Sequence, residues 1–374
     1  MTQRKIKTAI IGCGKVSHLH AAALQQGSNT ELTAIYSRSL EKAQEFADKY
    51  EILAFNDIEK MIIEAGIESV VVCTPHPFHA DAVIKAASTG ANCLVEKPFA
   101  SSLQDCDAMI QACKENKVKL GVVSQRRFYA PVQRLRKAID EGKIGNPVFG
   151  TINMLGWRDK NYYDSDEWRG TWRMEGGGVL VNQAPHQLDI FQWLMGPIDE
   201  VYGVWRNLNH PYIEVEDTAL AIVKFKSGAI GNIIVSNSQK PGIYGKVHVH
   251  GSNGASVGVQ TDGGAMFIAG MSSIAEPPVI DLWTFPGEER MLDEWKNEDS
   301  DFFNSINAME YYMKLQNEDF ANAILHDRKP MTSGEEGRIP VEIFTAIYRS
   351  TRDNQPVKFP LFPEYEQVDY DGRL

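Results

Sequence analysis

In the first third of the chain, short apolar runs alternate with amphipathic stretches. Residues 6–11 and 69–73 are short and mainly apolar, whereas residues 40–50 and 79–88 space their apolar side chains at helical intervals. A strand buried on both faces gives the first pattern and a surface helix gives the second. Their alternation predicts a doubly wound parallel sheet. The predicted strands are residues 6–11, 32–36, 54–55, 69–73, 93–95 and 120–123, and the predicted helices are residues 18–26, 40–50, 58–65, 79–88 and 103–116.

The pattern changes after Gln125. A basic amphipathic helix at residues 131–141 leads into longer strands in which apolar and polar residues alternate. That alternation is typical of an antiparallel sheet with one covered face. We therefore predict an α/β protein with two domains, residues 1–125 and 126–374, the second with a large, mostly antiparallel open sheet. Its predicted strands are residues 148–155, 200–208, 218–225, 230–236, 246–251 and 255–260. Its predicted closing helices run from residue 303 or earlier to residue 327, and from residue 339 to residue 353.

The turn after the first strand has the composition of a phosphate-binding loop. Residues 12–17 read Gly-Cys-Gly-Lys-Val-Ser, the G-x-G-x-x-G pattern with serine in the third place. The first glycine allows a tight turn, the second lets the backbone approach a pyrophosphate, and the third place needs only a small residue. The N–H groups of the next helix then face the phosphates. The sequence thus predicts a Rossmann domain over residues 1–125, with a dinucleotide bound at Gly12, Cys13, Gly14, Lys15 and Val16.

The end of the second predicted strand bears on the choice of dinucleotide. NAD-binding versions of this fold usually carry an acid there, about 20 residues after the loop, for the ribose hydroxyls. Here Ser37 and Arg38 occupy the position and no carboxylate is present. Serine and arginine suit a 2′-phosphate, which favours NADP(H). The alternative is that Arg38 is a solvated loop residue and that NAD(H) binds through ribose contacts alone.

Two later strands also end in polar residues. Thr74-Pro75-His76 follows one buried strand, and Glu96-Lys97-Pro98 follows the next. Ligands of open α/β sheets bind just outside the carboxyl ends of the strands. We therefore expect Lys97 to lie where a cofactor meets a substrate.

The order of these motifs resembles the family of glucose–fructose oxidoreductase, inositol dehydrogenase and rhizopine-catabolism proteins, Gfo/Idh/MocA. The resemblance covers nearly the whole chain and implies a Rossmann domain, then an α/β domain whose open sheet mediates oligomers, here a dimer or tetramer. It also implies nicotinamide-dependent oxidation or reduction at a hydroxyl or ketone of a sugar or cyclitol. The matching residues are Gly12–Ser17, Thr74-Pro75, His79, Glu96-Lys97-Pro98, Arg127-Phe128 with Pro131, and Gly176-Gly177-Gly178 leading to His186 and Asp189.

The resemblance also assigns roles to single residues near the cofactor. Lys97 matches the active-site lysine, Glu96 is implied to lie by the nicotinamide ribose, and Pro98 to follow a cis bond. Thr74 and Pro75 are implied to line the dinucleotide, with His76 where the family often has asparagine. His79 is expected to be structural or to support the cofactor.

The second half of the predicted site lies at residues 182–189. Asn182, His186 and Asp189 are spaced i, i+4 and i+7, which places them on one face of a helix. Many dehydrogenases of the family have aspartate at Asn182, and an amide can only hydrogen-bond, so it would orient substrate hydroxyls. Hydride transfer from a carbinol needs a base of near-neutral pKa, for which histidine is suited, and a cation that stabilises the alkoxide. We predict His186 and Lys97 as these catalytic residues and leave Asp189 as either catalytic or structural.

An aromatic and basic stretch at residues 156–173 is the most substrate-like segment. Aromatic side chains stack on sugar faces, and arginines donate paired hydrogen bonds to hydroxyls or anions. We predict that Arg158, Tyr163 and Arg169 contact the substrate together with Lys97, Asn182 and His186. The alternative is a packed aromatic loop that supports the sheet.

Composition narrows the partners and the location. A net charge of −11 argues against nucleic acid, and no apolar run approaches the length that spans a bilayer. No secretory leader is visible, and the five cysteines, all between Cys13 and Cys113, show no zinc-like pairing. We expect a cytoplasmic protein with reduced cysteines, no metal site and a small carbohydrate substrate.

Three functions fit these features. The first is an NAD(P)-dependent dehydrogenase of a sugar, a glycoside (including oxidation at C3) or a cyclitol. The second is an NAD-dependent glycosidase that works through transient oxidation. The third is a non-catalytic sensor of sugar or dinucleotide, against which the presence of both Lys97 and His186 argues.

Overall fold

The computed structural model describes residues 4–261 and 277–364. The chain divides into two compact units. The first contains Met1–Gln125 and Asn307–Arg338, and the second contains Arg126–Ile306 and Ile339–Leu374. The segment 307–338, which the sequence placed in the second domain, therefore belongs to the first unit.

The first unit is built on a six-stranded sheet in which all neighbours are parallel. This confirms the predicted doubly wound fold. The order reverses between the first and fourth strands, and this switch point is where such sheets bind ligands. The strands are β1 (Ile6–Ile11), β2 (Thr30–Tyr36), β3 (Leu53–Phe55), β4 (Ser69–Val72), β5 (Asn92–Val95) and β6 (Leu120–Val122), in the order β3-β2-β1-β4-β5-β6. The helices are α1 (Lys15–Gln26), α2 (Leu40–Tyr50), α3 (Ile58–Ala65), α4 (His79–Ser88) and α5 (Leu103–Glu115).

The second unit contains an eight-stranded sheet that is antiparallel except for one parallel pair, β7 with β10. The predicted mostly antiparallel sheet is thus confirmed. Its strands are β7 (Pro147–Trp157), β8 (Ile198–Arg206), β9 (Thr218–Phe225), β10 (Ile230–Ser236), β11 (Ser238–Gly251), β12 (Ser256–Gln260), β13 (Val279–Trp283) and β14 (Val357–Lys358), in the order β13-β12-β11-β7-β10-β9-β8-β14. Its helices before residue 306 are α6 (Ala130–Asp140), α7 (Lys160–Asp164), α8 (Val179–Asn182), α9 (Pro185–Met195) and α10 (Glu289–Ser305).

Helix α9 covers one face of this sheet. A Cβ added to Gly150 of β7, or to Gly231 of β10, would lie 2.8 Å from the ring of Phe191. Glycine at both positions therefore lets the helix approach the strands closely. The other face is exposed along β8 and β9, where buried and exposed residues alternate.

Two predicted helices are each interrupted in the structure. The single helix expected to carry Asn182, His186 and Asp189 is divided by Gln183 and Ala184, so that Asn182 ends α8 and α9 begins at Pro185. Proline is favoured at a helix start because its missing N–H would have no partner there. The helix predicted over residues 303–327 is likewise two, since α10 ends at Ser305 and Asn307 caps the next helix.

The last two helices explain why residues 307–338 join the first unit. Helix α11 (Ala308–Leu325) buries Met313 and Phe320 in the same core cluster as Ile10 and Leu24. Helix α12 (Gly334–Asp353) begins in the first unit and continues in the second. A long-range packing of this kind leaves no local sequence signal.

None of the helices in the described ranges is long and apolar enough to cross a membrane.

Candidate active site

The loop at residues 12–17 fits a pyrophosphate. Gly12 has a φ of +109°, and a Cβ there would lie 2.9 Å from the carbonyl oxygen of Cys73. Gly14 is exposed, and a Cβ on it would meet no atom within 4 Å. Helix α1 begins at Lys15 with no side-chain cap. The N-terminal end of α1, where the helix dipole favours negative charge, therefore lies at this loop.

The other residues of the loop attach it to the sheet. The half-buried thiol of Cys13 donates to the carbonyl oxygen of Tyr36 at 3.9 Å, and burial raises its pKa. Val16 packs against the core of the unit, and Ser17 is fully buried. The third place of the motif thus does hold a small, packed side chain. The side chains of Cys13 and Val16 pack against the core, so these two residues are expected to contact a dinucleotide through their backbone atoms.

The end of β2 meets the turn after β4. Arg38 is exposed, and its guanidinium lies 5.4 Å from the centre of the Phe78 ring. The hydroxyl of Ser37 accepts a hydrogen bond from the N–H of Ser39 at 3.4 Å. The guanidinium of Arg38 thus lies over a ring of the neighbouring loop. This places a cation at the end of β2, where an acidic residue favours NAD in other proteins of this fold.

His79 connects the loop after β4 to the turn after β5. Its Nε2 lies 2.8 Å from the carbonyl oxygen of Thr74 and its Nδ1 lies 3.1 Å from that of Phe99. The ring is completely buried, and burial lowers its pKa. His79 therefore holds these two loops together from inside the unit. Pro75 is exposed and His76 is half-buried, so both lie on the accessible side of the loop after β4.

A buried network that the sequence did not reveal supports Lys97. The Oε1 of Glu96 lies 3.0 Å from Nε2 of His20, and its Oε2 accepts the N–H of Lys97 at 2.9 Å. The Nδ1 of His20 lies 3.2 Å from the amide oxygen of Asn317 on α11. Both oxygens of Glu96 are thus held inside the unit, and its position beside the nicotinamide ribose stays a prediction. Lys97 itself is half-buried, and the Lys97–Pro98 bond is cis.

The charges in this network decide the state of Glu96. Burial raises the pKa of its carboxyl group. The hydrogen bond and charge of His20, with the charge and N–H of Lys97, lower the pKa by more, so the result is a lowered pKa. Glu96 is therefore an ionised anchor for the backbone of Lys97.

In the second unit, Asn182 and Arg169 meet at one phenol. The hydroxyl of Tyr162 accepts from Asn182 Nδ2 at 3.3 Å, Arg169 Nη1 at 2.6 Å and Gln183 Nε2 at 2.8 Å. Burial raises the pKa of Tyr162 to about 12. Tyr162 therefore stays a neutral phenol, and its hydroxyl connects two of the predicted substrate residues, Arg169 and Asn182.

A carboxylate also reaches Asn182. The amide Nδ2 of Asn182 donates to Oε1 of Glu175, whose Oε2 accepts the N–H of Gly170 at 2.5 Å. Glu175 is buried. Asn182, where the resemblance leads one to expect aspartate, is thus an amide with the carboxylate of Glu175 next to it. Sequence spacing gave no signal for Glu175, because Gly176–Gly178 intervene.

His186 and Asp189 lie three residues apart on α9. Asp189 is held by Arg127, whose Nη2 donates to Oδ1 at 2.7 Å and whose Nε donates to Oδ2 at 2.8 Å. Both side chains are buried. This paired contact supports the structural alternative for Asp189. His186 lies in the first turn, buried to 6 % exposure.

Three glycines let α8 approach a buried glutamate. Gly177 has a φ of +150°, and a Cβ on Gly178 would collide with the carbonyl oxygen of Glu216. The carboxylate of Glu216 accepts the N–H of Gly178 at 2.8 Å and of Leu180 at 3.0 Å. Burial raises its pKa to about 7. Glu216 thus caps the helix that ends in Asn182, and the sequence had not singled it out.

Arg158 and Tyr163 both pack against the ring of Tyr162. Arg158 is 7 % exposed, and its guanidinium carbon lies 5.5 Å from the centre of the Tyr162 ring. Tyr163 packs edge-on against His210 with ring centres 5.5 Å apart, and burial raises its pKa. Arg158, Arg169 and Asn182 therefore surround one ring. Tyr163 packs beside it, and its contact with substrate stays a prediction.

Among the described residues, no group of three or more histidine, cysteine, aspartate or glutamate side chains could hold a metal ion.

Two protein-family models match this chain. Residues 6–124 match the model described as "Oxidoreductase family, NAD-binding Rossmann fold", and residues 132–257 match "GFO/IDH/MocA C-terminal domain". The solved WlbA dehydrogenase of Bordetella pertussis, in complex with NADH and UDP-GlcNAcA, is 30 % identical with a TM-score of 0.83. The match covers 97 % of this chain and 100 % of that one.

Two curated relatives are inositol dehydrogenases. The scyllo-inositol 2-dehydrogenase (NAD(+)) of Bacillus subtilis is 25 % identical over 97 % of this chain and 99 % of its own. The inositol 2-dehydrogenase of Rhizobium meliloti is 25 % identical over 90 % of this chain and 99 % of its own. The cofactor is thus a nicotinamide dinucleotide, and the chain belongs to the Gfo/Idh/MocA family of oxidoreductases.

Proposed function

We propose that this protein is a dehydrogenase that oxidises a hydroxyl group of a nucleotide-linked sugar, with a free sugar or cyclitol as the second candidate substrate class. The identity with WlbA over nearly all of both chains supports the nucleotide-linked sugar. The observation that carries the proposal is Lys97, whose backbone is anchored by Glu96 just after β5 in the unit with the pyrophosphate loop.

The proposed roles follow from what an alcohol oxidation requires. A bound nicotinamide supplies the hydride acceptor. His186 takes the hydroxyl proton, and Lys97 stabilises the negative charge that develops on the oxygen. The amide of Asn182, fixed by Glu175 and Tyr162, orients the sugar hydroxyls.

The test is a panel of UDP-GlcNAcA, scyllo-inositol, myo-inositol and glucose with each oxidised dinucleotide. We expect reduced dinucleotide and a keto product, with oxidation at C3 in the case of a glycoside. Hydrolysis without net reduction would identify a glycosidase, and binding without turnover would identify a sensor. Either result would overturn the proposal.

The residue roles are tested by Lys97→Ala and His186→Ala. Each should lower kcat by about 100-fold or more while the Kd of the dinucleotide is unchanged. Lys137→Ala and His326→Ala, which change exposed residues, are the matched controls. Near-normal kcat in either active-site variant would contradict its role.

We propose that the protein prefers NADP(H) to NAD(H). Its support is the serine and the exposed arginine at the end of β2, although the solved WlbA complex contains NADH. We expect a lower Kd for NADPH than for NADH, and a Ser37→Asp variant that loses NADPH affinity by repulsion of the 2′-phosphate. Tighter binding of NADH by the unmodified protein would contradict the preference.

We also propose a cytoplasmic homo-oligomer, a dimer or tetramer, that buries the open face of the second sheet. Cross-strand neighbours on this face, Tyr202 opposite Ile222 and Val204 opposite Leu220, are 41–59 % exposed. Contiguous exposed apolar side chains of this kind mark interaction surfaces. Light scattering should give a dimer or larger, and Ile222→Glu should give a monomer. A monomeric unmodified protein would contradict the proposal.

A further inference from the structure

We infer that Arg158 and Arg169 form a binding site for an anionic group of the substrate, a carboxylate or a phosphate. The inference rests on the proposed function, because the anion is carried by the sugar compound proposed above. The second unit would thus recognise a negative charge of the substrate through these two arginines.

Arg158 is a buried cation without a carboxylate partner. Its Nη1 donates to the carbonyl oxygen of Trp157 at 2.9 Å, and its Nε is buried with no acceptor. No carboxylate within residues 4–261 and 277–364 forms an ion pair with it. Burial lowers its pKa, and the nearby charge of Arg169 acts in the same direction. A buried charge is costly unless it is paired, so an anion from outside the chain would stabilise this arrangement.

Arg169 is held in a fixed plane beside it. Its guanidinium lies 4.4 Å from the ring centre of Trp168 and 4.3 Å from that of Tyr162. Its Nε lies 3.2 Å from Asp166, a partly exposed carboxylate. Two guanidinium groups thus pack against the ring of Tyr162. Within the described residues, the two arginines together form one ion pair, that of Arg169 with Asp166. Stacked guanidinium groups are suited to oxyanions, because their N–H groups are already oriented as a fork.

The position of this cationic pair connects it to the reaction. The phenol of Tyr162, on which both arginines lie, also accepts a hydrogen bond from Asn182. An anion at the two arginines would therefore place the rest of its sugar compound next to the amide proposed to orient the hydroxyls. The carboxylate Glu175 in the same network is engaged by Asn182 and Gly170.

The test is the binding of four compounds, measured by calorimetry with the protein saturated in reduced dinucleotide so that no oxidation occurs. UDP-GlcNAcA carries carboxylate and phosphates, UDP-GlcNAc carries phosphates only, glucuronate carries a carboxylate only, and glucose carries neither. Arg158→Gln should weaken binding of the compounds that carry the recognised anion by about 10- to 100-fold and leave glucose binding unchanged. A loss for UDP-GlcNAcA and glucuronate alone assigns a carboxylate, and a loss that includes UDP-GlcNAc assigns a phosphate.

Arg206→Gln is the matched control. Arg206 also donates its Nη1 to the carbonyl oxygen of the tryptophan before it, at 2.8 Å, but it is exposed. Arg169→Gln, a second variant, should show the same selectivity as Arg158→Gln. Equal losses for all four compounds, or no loss in either variant, would overturn the inference. Because binding is measured without turnover, this outcome is distinct from a failure of the proposed dehydrogenase activity.

Discussion

Two buried arginines of the second unit, Arg127 and Arg158, have opposite surroundings. Arg127 is 0 % exposed and makes a two-point ion pair with Asp189. It also stacks on Trp193 at 4.8 Å. Arg158, 7 % exposed, donates to one backbone carbonyl and forms no ion pair within the described residues. A buried charge whose partner is within the chain serves the structure, whereas one without a partner is suited to a ligand.

The largest expected effect tests the paired side of this comparison. Asp189→Asn leaves Arg127 buried without its counter-charge, which should lower the free energy of unfolding by about 3–5 kcal/mol. Urea denaturation measures this change. Asp164→Asn, which removes the exposed pair with Lys160, is the control and should cost about 1 kcal/mol or less. A similarly small loss for Asp189→Asn would mean that the buried pair does not stabilise the fold.

An intermediate effect is expected at Glu216, a buried carboxylate held by backbone N–H groups. Its pKa is about 7 in the folded protein, against 4.5 ordinarily, because burial favours the protonated form. The unfolded chain therefore releases this proton first as the pH rises. The free energy of unfolding should fall between about pH 4.5 and about pH 7, relative to Glu216→Gln, which does not titrate. A difference between the two proteins that does not change with pH would contradict the prediction.

The smallest effect on stability is expected at Arg158. Since no ion pair is lost and the cost of burying a charge is relieved, Arg158→Gln should change the free energy of unfolding by only about 1 kcal/mol or less. The same denaturation experiment measures it. A loss as large as that of Asp189→Asn would show that Arg158 is a structural cation, which would end the contrast with Arg127.

The fold could be predicted because it depends on local signals. Helices α2 and α3, and strands β9 and β10, have the predicted bounds, since each shows a clear apolar period and defined ends. The break between α8 and α9 was missed because the helical spacing of Asn182, His186 and Asp189 continues across it. The assignment of residues 307–338 was missed because it depends on Met313 and Phe320 packing against distant strands.

The candidate site was predictable in its motifs but not in its pairings. The loop at residues 12–17 and Lys97 lie at strand ends, where local sequence identifies them. The partners of Glu96 and Asn182 could not be found in this way. His20 is 76 residues from Glu96, and Glu175 is one loop away from the amide that it holds. Such contacts are specified by the tertiary fold alone.

The core position of α11 has a consequence for the order in which the protein is completed during synthesis. The network under Lys97 ends at Asn317, so the ribosome must produce the whole of residues 126–306 before the first unit has all its parts. A chain released at Gln125 would lack Met313 and Phe320 in its core and Asn317 beside His20. The dinucleotide-binding unit is therefore compact in the folded protein, although its two segments are synthesised at different times.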